Sequence, residues 1–445
     1  MRYKFNIFAL GVFWAACCSV MPVRAEVFGV SDFYLDNGMQ VLVIPNHKAP
    51  IVKHMVWYKA GSADEPHGRG GTAHLLEHLM FRGTKKVKDG KFNDIVNRNG
   101  GESNAFTSLD YTAYHQFWDI SRLELAMFLE ADRMQNLRIT PEAFAKERDI
   151  VYQERRQVVD NNPLSYFGES LRKLLWQNHP YGLSVGGTPE DIMAITQADV
   201  EDYYQRFYAP NNAILVLAGD IDVPTAKVLA EKYYGGVKAR NIGEKVSFPN
   251  LDRKFQVQMD MKLPAAAAPR LVRTYLAPSY NTGNEQIYAL SVLSAYLGEG
   301  ETSKLYKKLV LDKKAALAVS VSYDYSSRSY GTFSITAVPA EGVAPKAFEK
   351  KLDEAVAQAL KEINDEELSK TKQKMLAGLV YLRDNPEDAA YIAGMMAAVG
   401  FSPTEIDNVD KKIQAVSAAD VKNAAAKLFE AASVSGWLLP MKDGE

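Results

Sequence analysis

The stretch Thr196-Gln-Ala-Asp-Val200 predicts the start of a helix that runs to Tyr208, and Asn211-Asn-Ala-Ile-Leu-Val-Leu-Ala218 predicts a strand directly after it. A Thr followed three residues later by Asp is typical of a helix start, because each side chain can accept a hydrogen bond from a backbone N–H that the first turn leaves unpaired. The apolar run that follows is typical of a buried strand.

The same unit recurs near the end of the chain. Ser417-Ala-Ala-Asp-Val421 predicts a helix start, and Ala432-Ser-Val-Ser-Gly-Trp-Leu-Leu439 predicts the strand after that helix. One offset of 221 relates four pairs of positions: Thr196 with Ser417, Asp199 with Asp420, Tyr208 with Phe429, and Val216 with Trp437. An offset shared through helix, loop and strand indicates a duplicated domain.

The beginnings of the two halves agree more loosely. In the first half we predict a hairpin over Phe33–Ile44, a strand over Ile51–Lys59 and a helix over Gly71–Phe81. The counterparts in the second half are strands over Phe255–Leu263 and Arg270–Leu276 and a helix over Glu285–Leu297. Long helices that alternate with runs of strands favour an α+β fold of two homologous domains, each with helices packed on a largely antiparallel sheet.

Length and composition agree with this organisation. A chain of 445 residues has room for two to three ordinary domains, and 47% apolar with 24% charged residues is average for folded proteins. We place the first domain at 26–238, a linker at 239–254 and the second domain at 255–445. The net charge is −2 and no basic block occurs, so nothing indicates a nucleic-acid-binding protein.

Residues 1–25 have the layout of a secretory signal peptide: a basic start, an apolar run, and small residues for cleavage in Val23-Arg24-Ala25. A membrane anchor is the alternative, and Cys17 or Cys18 leaves lipid attachment open. Because the segment carries three basic and no acidic residues, cleavage would change the net charge from −2 to −5. We expect an exported protein, in a bacterial periplasm, with no membrane association after cleavage.

All histidines of the chain lie in its first half: His47, His54, His67, His74, His78, His115 and His179. Histidine chemistry would therefore belong to one half only.

The segment His74-Leu-Leu-Glu77-His78 is the strongest functional signal. Positions i and i+4 of a helix lie on one face, so both imidazoles can reach one ion, and a third protein ligand would leave a position open for water, as in catalytic zinc sites. Glu77 can then accept the proton of that water. This H-x-x-E-H order is characteristic of inverzincins. The alternative is two surface histidines and a salt-bridging glutamate.

A third ligand is available on the predicted helix Pro141–Val159. Glu147 and Glu154 are seven residues apart, two turns along one face. Either could reach the ion while the other supports a histidine from behind.

The segment Gly71-Thr-Ala-His-Leu-Leu-Glu-His-Leu-Met-Phe-Arg-Gly-Thr84 resembles the zinc-site segment of the pitrilysin/insulinase zinc metallopeptidases, a group that includes the mitochondrial processing peptidases and short bacterial members. The resemblance extends to Leu35-Asp-Asn-Gly-Met-Gln40, Gly101-Glu-Ser-Asn-Ala-Phe-Thr107, Glu147-Arg148 and the duplicated ends. It implies a clam-shell arrangement of the two domains and a peptidase activity.

The resemblance also implies roles for individual residues. His74, His78 and Glu154 would bind one Zn²⁺ per chain, Glu77 would be the general base, and Glu147 would support a zinc-binding histidine.

The segment Ser103–Phe106 resembles the edge strand on which members of this family bind extended peptides by backbone pairing. Asn104, Ala105 and Phe106 are the implied substrate contacts. The alternative is an edge strand with no function beyond the sheet.

The chain departs from the family in its second half. Members usually carry an Arg and a Tyr there that complete the site, and our alignment puts Val310 and Val319 at these positions. Tyr306 or Tyr323 would serve instead if the alignment is shifted.

With valines at both positions, we expect a heterodimer in which a homologous, inactive subunit supplies the Arg/Tyr pair. The alternatives are a self-sufficient homodimeric peptidase and a non-catalytic exported scaffold. A metal-storage protein would explain the ligands but not Glu77.

Overall fold

A computed structural model describes residues 27–248 and 255–441 of the chain, so the predicted signal peptide, with Cys17 and Cys18, lies outside the described residues. The described strands are β1 Ser31–Tyr34, β2 Gln40–Pro45, β3 Ile51–Tyr58, β4 Gly83–Thr84, β5 Glu102–Thr107, β6 Thr112–Asp119, β7 Leu137–Arg138, β8 Ala213–Gly219, β9 Gln256–Leu263, β10 Arg270–Ala277, β11 Ala316–Asp324, β12 Gly331–Pro339 and β13 Ser433–Pro440.

The α-helices alternate with these strands in both halves. They are α1 Thr72–Leu79, α2 Phe92–Arg98, α3 Leu123–Asn136, α4 Pro141–Arg155, α5 Pro163–Trp176, α6 Pro189–Ala194, α7 Gln197–Phe207, α8 Val223–Tyr234, α9 Tyr280–Gly298, α10 Pro345–Lys361, α11 Asp365–Asp384, α12 Pro386–Ala398, α13 Pro403–Asp407, α14 Val409–Ala415 and α15 Ala418–Phe429. Among the described helices, none combines the length and the hydropathy that a bilayer span requires.

The two large sheets have the same topology. The first has the strand order β1-β2-β8-β3-β6-β5 and the second has the order β11-β12-β10-β13-β9. In the first sheet β2 runs parallel to β8 while the other pairs are antiparallel, and in the second sheet β9 runs parallel to β13 in the same way. Read from β2 and from β9, the two sheets match strand for strand. This match confirms the α+β fold with two homologous domains and a largely antiparallel sheet in each.

The duplicated helix starts form as their sequences predict. Thr196 and Asp199 make a capping box at α7, and Ser417 and Asp420 make the same box at α15. Each side chain satisfies a backbone N–H that the first helical turn leaves unpaired.

Each half places one helix on the sheet of the other half. Helix α12 packs on β3 and β8, and α5 packs on β13, β9 and β10. A Cβ on Gly394 of α12 would lie 2.1 Å from Trp57 Nε1, and a Cβ on Gly436 of β13 would lie 2.5 Å from Leu171 Cδ2 of α5.

A group of buried charges also joins the halves. Arg328, between β11 and β12, donates from Nη2 to Asp64 Oδ2 at 2.8 Å and from Nε to Asp110 Oδ1 at 2.9 Å. Tyr181 donates its hydroxyl to Asp110 as well. Both aspartate side chains are almost completely buried, and the single positive charge of Arg328 partly compensates their two negative charges.

One predicted helix ends earlier than expected. The predicted helix over Pro141–Val159 is α-helical only to Arg155, and the next five residues form a single π-helical segment. Asn162 caps the first turn of the following helix α5. Helix α4 must therefore end before Asn162, so that the chain can change direction there. The predicted domain boundaries at 238 and 254 stay predictions.

Candidate metal centre

Helix α1 is positioned by close backbone contacts at its first residue. Gly71 precedes the helix with φ of 93°, and a Cβ there would lie 2.8 Å from the carbonyl oxygen of Gly186. The Glu65 carboxylate accepts hydrogen bonds from the N–H groups of Gly71 and Ala73, which the first turn leaves without helical partners. The buried side of α1 is mainly apolar, and both histidines lie on the other side, where His74 lines a cavity.

His74, His78 and Glu154 converge on one point. One ligand atom of each lies within 4.8 Å of the others. The Oε2 atom of Glu154, on α4, is 3.4 Å from His78 Nε2 and 4.0 Å from His74 Nε2. Two imidazole nitrogens and one carboxylate oxygen are a ligand set that suits zinc and leaves a fourth position open.

Glu147 lies behind His78, outside the cluster. Its Oε2 accepts the Nδ1–H of His78 at 3.2 Å, and its Oε1 lies 3.3 Å from Arg82 Nε. This contact keeps the proton on Nδ1 and turns the Nε2 lone pair toward Glu154. The two glutamates that the sequence left equivalent therefore have different surroundings.

The protonation of the histidines also fits a metal site. Burial, together with the neighbouring His78 ring, lowers the pKa of His74 to about 4, so this imidazole is neutral at pH 7. Burial acts in the same direction on His78, but the hydrogen bond to Glu147 and the carboxylates of Glu154 and Glu77 outweigh it and raise the pKa of His78. His74 Nδ1 is buried and has no hydrogen-bond partner among the described residues. The tautomer of His78 is therefore fixed by a partner, and that of His74 is not.

Glu77 lies beside the cluster without joining it. Thr107 Oγ1, at the end of β5, donates a hydrogen bond to Glu77 Oε2 at 2.6 Å. Burial raises the pKa of Glu77, and this hydrogen bond partly offsets the effect. A carboxylate held in this way has its other oxygen, Oε1, available to accept a proton.

A cavity of about 430 Å³ opens in front of these groups. His74, Glu77 and Glu154 line it, and β5 contributes Ala105 and Phe106. β5 is the edge strand of the first sheet and pairs only with β6 among the described strands. Its outer edge is therefore available for pairing with a peptide.

The three predicted substrate contacts differ in their surroundings. Ala105 and Phe106 lie along the cavity, while Asn104 is not among the residues that line it. The Asn104 side chain instead accepts a hydrogen bond from the Ala105 N–H at 2.9 Å.

The second half does not reach this cavity, since every described residue that lines it belongs to 74–186. Val319 is buried in the core of the second half, and Val310 packs against the same core. Tyr306 is packed there too, and Tyr323 donates its hydroxyl to the carbonyl oxygen of Pro278.

Several residues of the site were not predicted from the sequence. Thr107 and Arg82 lie within the two motifs already quoted, where a hydroxyl and a guanidinium beside ionisable groups could have been noticed. Arg155, Arg172 and residues 184–186 also line the cavity. Their position depends on how α5 and the following loop fold back, for which the local sequence has no signal.

Comparison with known proteins places this geometry in a family. The family described as insulinase (peptidase family M16) matches residues 40–189, and the peptidase M16 inactive domain matches 194–375. Zinc protease PqqE of Helicobacter pylori is 31% identical over 379 residues, which are 82% of this chain and 81% of that protein. The chain belongs to peptidase family M16. The expected family resemblance is confirmed.

Other M16 proteins agree over most of their length. The beta subunit of the mitochondrial processing peptidase of Lentinula edodes is 25% identical, with 88% of this chain and 86% of that protein covered. The crystal structure of a protease from Helicobacter pylori has a TM-score of 0.84 at 27% identity and covers 92% of this chain and 99% of that one. The first half of the periplasmic protease PqqL of Escherichia coli, with a TM-score of 0.77 at 18% identity, shares the fold.

The boundary between the two M16 matches separates the part of the chain that contains histidines from the part that contains none. The first contains His74, His78 and Glu154, and the match to the M16 inactive domain begins after them and contains no histidine.

Proposed function

We propose that this chain is a zinc-dependent endopeptidase that cleaves short or unfolded peptides, and that it is the zinc-bearing subunit of a heterodimer. The observation that carries the proposal is Glu77. A site that only stored a metal would have no use for a carboxylate that is oriented by Thr107 and kept out of the ligand cluster.

His74, His78 and Glu154 would hold the ion, one per chain, and Glu147 would keep His78 in the tautomer that can bind it. When bound there, Zn²⁺ supplies Lewis-acid chemistry: it polarises a peptide carbonyl and lowers the pKa of water. Both imidazoles must be neutral for this, so metal binding would release a proton from His78 wherever that histidine is charged.

Glu77 would move the proton. Thr107 occupies its Oε2, so Oε1 takes the proton of the attacking water and later delivers it to the leaving amine. The raised pKa of Glu77 suits this task, because a carboxylate with a pKa closer to neutrality takes a proton from water more effectively and is still acidic enough to protonate an amine.

The peptide would bind as an added strand along β5. Backbone pairing at Ala105 and Phe106 would hold an extended peptide against the cavity, with little dependence on its side chains. Folded proteins cannot present such a segment, so the substrates would be short or unfolded.

The heterodimer is proposed because our alignment puts valines at the two second-half positions where members of the family carry an Arg and a Tyr. Val310 and Val319 cannot donate hydrogen bonds, and neither they nor Tyr306 or Tyr323 line the cavity. A homologous inactive subunit with an Arg and a Tyr would supply them. The chain is similar to the beta subunit of a mitochondrial processing peptidase, a protein that is named as one subunit of that peptidase.

Export to a bacterial periplasm is part of the proposal. The signal-peptide layout of residues 1–25 supports it, as does the fold that the chain shares with periplasmic PqqL. N-terminal sequencing of the protein purified from its natural host should begin at residue 26, and an intact residue 1 would contradict export by cleavage.

Zinc content tests the ligand assignment. Glu154→Gln should strongly lower the amount of zinc bound per chain. Glu147→Gln is the matched control, because the same change is made at a residue that contacts His78 and not the ion. It should weaken zinc affinity by about 10- to 100-fold and leave the site filled at saturating metal. Full occupancy and unchanged affinity in Glu154→Gln would reject it as third ligand.

Peptide cleavage tests the activity and the partner. A flexible quenched-fluorescence peptide should be cleaved in a chelator-sensitive way when the zinc-loaded chain is combined with its homologous partner. Chelator-sensitive cleavage by the purified chain alone would replace the heterodimer with a self-sufficient homodimer. Absence of cleavage in both preparations would leave the non-catalytic scaffold.

A further inference from the structure

Arg172, on α5, lies at the junction of two cavities. It lines the cavity that contains His74, Glu77 and Glu154, and it also lines a second cavity of about 340 Å³ between the two halves. The second cavity is walled mainly by apolar side chains, among them Leu171, Leu175, Trp176 and Val272. Among the described residues, only Arg172 lines both cavities.

The guanidinium of Arg172 makes no salt bridge among the described residues: the Glu169 carboxylate attracts it, but both oxygens of that carboxylate are already bound by other cations. Glu169 lies one turn earlier on α5, and its Oε2 accepts from Arg155 Nη1 at 2.6 Å while its Oε1 accepts from Lys173 at 2.7 Å. Arg155 is paired further, with Asp160 at 3.1 Å. Arg155, Arg172 and Lys173 together carry three positive charges, against two negative charges on Glu169 and Asp160. One positive charge is therefore in excess, and Arg172 lies on the wall of the cavity.

A half-buried guanidinium without a partner favours an anion. Removing a charge from water costs free energy unless a partner compensates it, and a carboxylate is the group that a guanidinium binds best, through two parallel hydrogen bonds. The apolar wall on the other side of Arg172 excludes water and would strengthen such a pair. Asp324 would repel a carboxylate in the second cavity. The carboxylates in the cavity next to His74 are those of Glu77 and Glu154, and a cation bound there would offset their charge, so an incoming carboxylate would approach Arg172 from this side.

We propose that Arg172 binds a carboxylate of the peptide substrate and so gives this peptidase a preference for peptides that present a carboxylate at this point of the cavity. The inference rests on the proposed function, since it assigns a specificity-determining residue to the same site. The carboxylate is that of a Glu or Asp side chain or that of the C-terminus of the peptide, and both present the same group to Arg172.

Binding of labelled peptides to the zinc-loaded Glu77→Gln chain tests this without requiring hydrolysis. One peptide pair differs only by Glu or Gln at a single position that is scanned along the sequence, and a second pair has a free or an amidated C-terminus. Fluorescence anisotropy should show tighter binding of one carboxylate-bearing peptide, by on the order of tenfold, and the pair that shows it identifies the source of the carboxylate. Equal binding within every pair would overturn the proposal.

The variants Arg172→Met and Arg172→Gln, made in the same background, should remove this discrimination. Arg156→Met is the matched control: Arg156 is exposed and lines neither cavity, so the same loss of charge there should leave the discrimination in place. Discrimination that survives in both Arg172 variants, or that Arg156→Met also abolishes, would overturn the proposal. Equal zinc content and thermal unfolding show that all variants are folded.

Failure of the proposed function gives a different pattern. A wild-type chain that binds zinc and distinguishes the peptides, but never cleaves them in combination with its partner, would contradict the peptidase and leave the carboxylate site at Arg172 intact.

Discussion

At the scale of single residues, Glu77 and Glu154 differ in their contacts, as we expect of the proposed base and the proposed metal ligand. The Glu154 carboxylate faces two imidazole nitrogens, whereas Glu77 receives a hydroxyl hydrogen bond from Thr107. The sequence motif predicted which histidines would share a face, because helical spacing alone determines that. It could not predict the Thr107 contact, because that depends on how β5 lies against α1.

Thr107→Val should therefore impair catalysis without loss of metal. The variant keeps the shape of the side chain and removes the hydrogen bond to Glu77, so kcat/KM should fall on the order of tenfold with zinc content unchanged. Thr107→Ser, which keeps the hydroxyl, is the control and should retain most of the activity. An unchanged kcat/KM in Thr107→Val would show that Glu77 does not need this orientation.

At the scale of elements, the duplication was predictable and the exchange of helices was not. The capping boxes at Thr196 and Ser417 are local signals, so one offset sufficed to find both. The packing of α5 and α12 on the opposite sheets is a long-range contact, and the apolar faces of these helices do not specify which sheet they cover. Gly394 and Gly436 mark the two contacts only once the structure is known.

Gly436→Ala tests the contact of α5 with the second sheet. The added Cβ would lie 2.5 Å from Leu171 Cδ2 and 2.9 Å from Phe167 Cζ, so the substitution should lower the free energy of unfolding by about 1–3 kcal/mol. Gly378→Ala is the matched control, since a Cβ there meets nothing within 4 Å, and in the interior of α11 it should stabilise by about 0.5–1 kcal/mol. Urea denaturation measures both, and equal stability of the two variants would contradict the packing.

At the scale of the whole molecule, the two halves are joined by charges as well as by apolar packing. Arg328 of the second half forms ion pairs with Asp64 and Asp110 of the first, and both aspartates are buried. None of these residues belongs to a sequence motif. A pairing across more than two hundred residues leaves no local pattern, so the sequence alone could not predict it.

Arg328→Met should destabilise the molecule by about 3 kcal/mol, because it leaves two buried carboxylates without a counter-charge. Arg383→Met removes the same group from a surface position, where the pairing with Asp384 is exposed, and should leave stability close to that of the wild type. Unfolding in urea separates the two, and an Arg328→Met variant as stable as the wild type would show that the buried pairs do not hold the halves together.

The assembly is likewise a property of the whole molecule. The sequence predicted a missing Arg/Tyr pair from Val310 and Val319, and these valines lie in or against the core of the second half. Whether a partner subunit completes the cavity depends on surfaces of another chain, which one sequence does not contain.

In the proposed function, Glu77 transfers protons at a zinc site without being one of the zinc ligands. The most direct measurement compares wild type and Glu77→Gln, in the preparation that cleaves the quenched-fluorescence peptide, for zinc content and cleavage rate together. We expect one zinc per chain in both and a cleavage rate lower by on the order of 10²- to 10⁴-fold in the variant. Cleavage at the wild-type rate, or loss of zinc from the variant, would contradict this account.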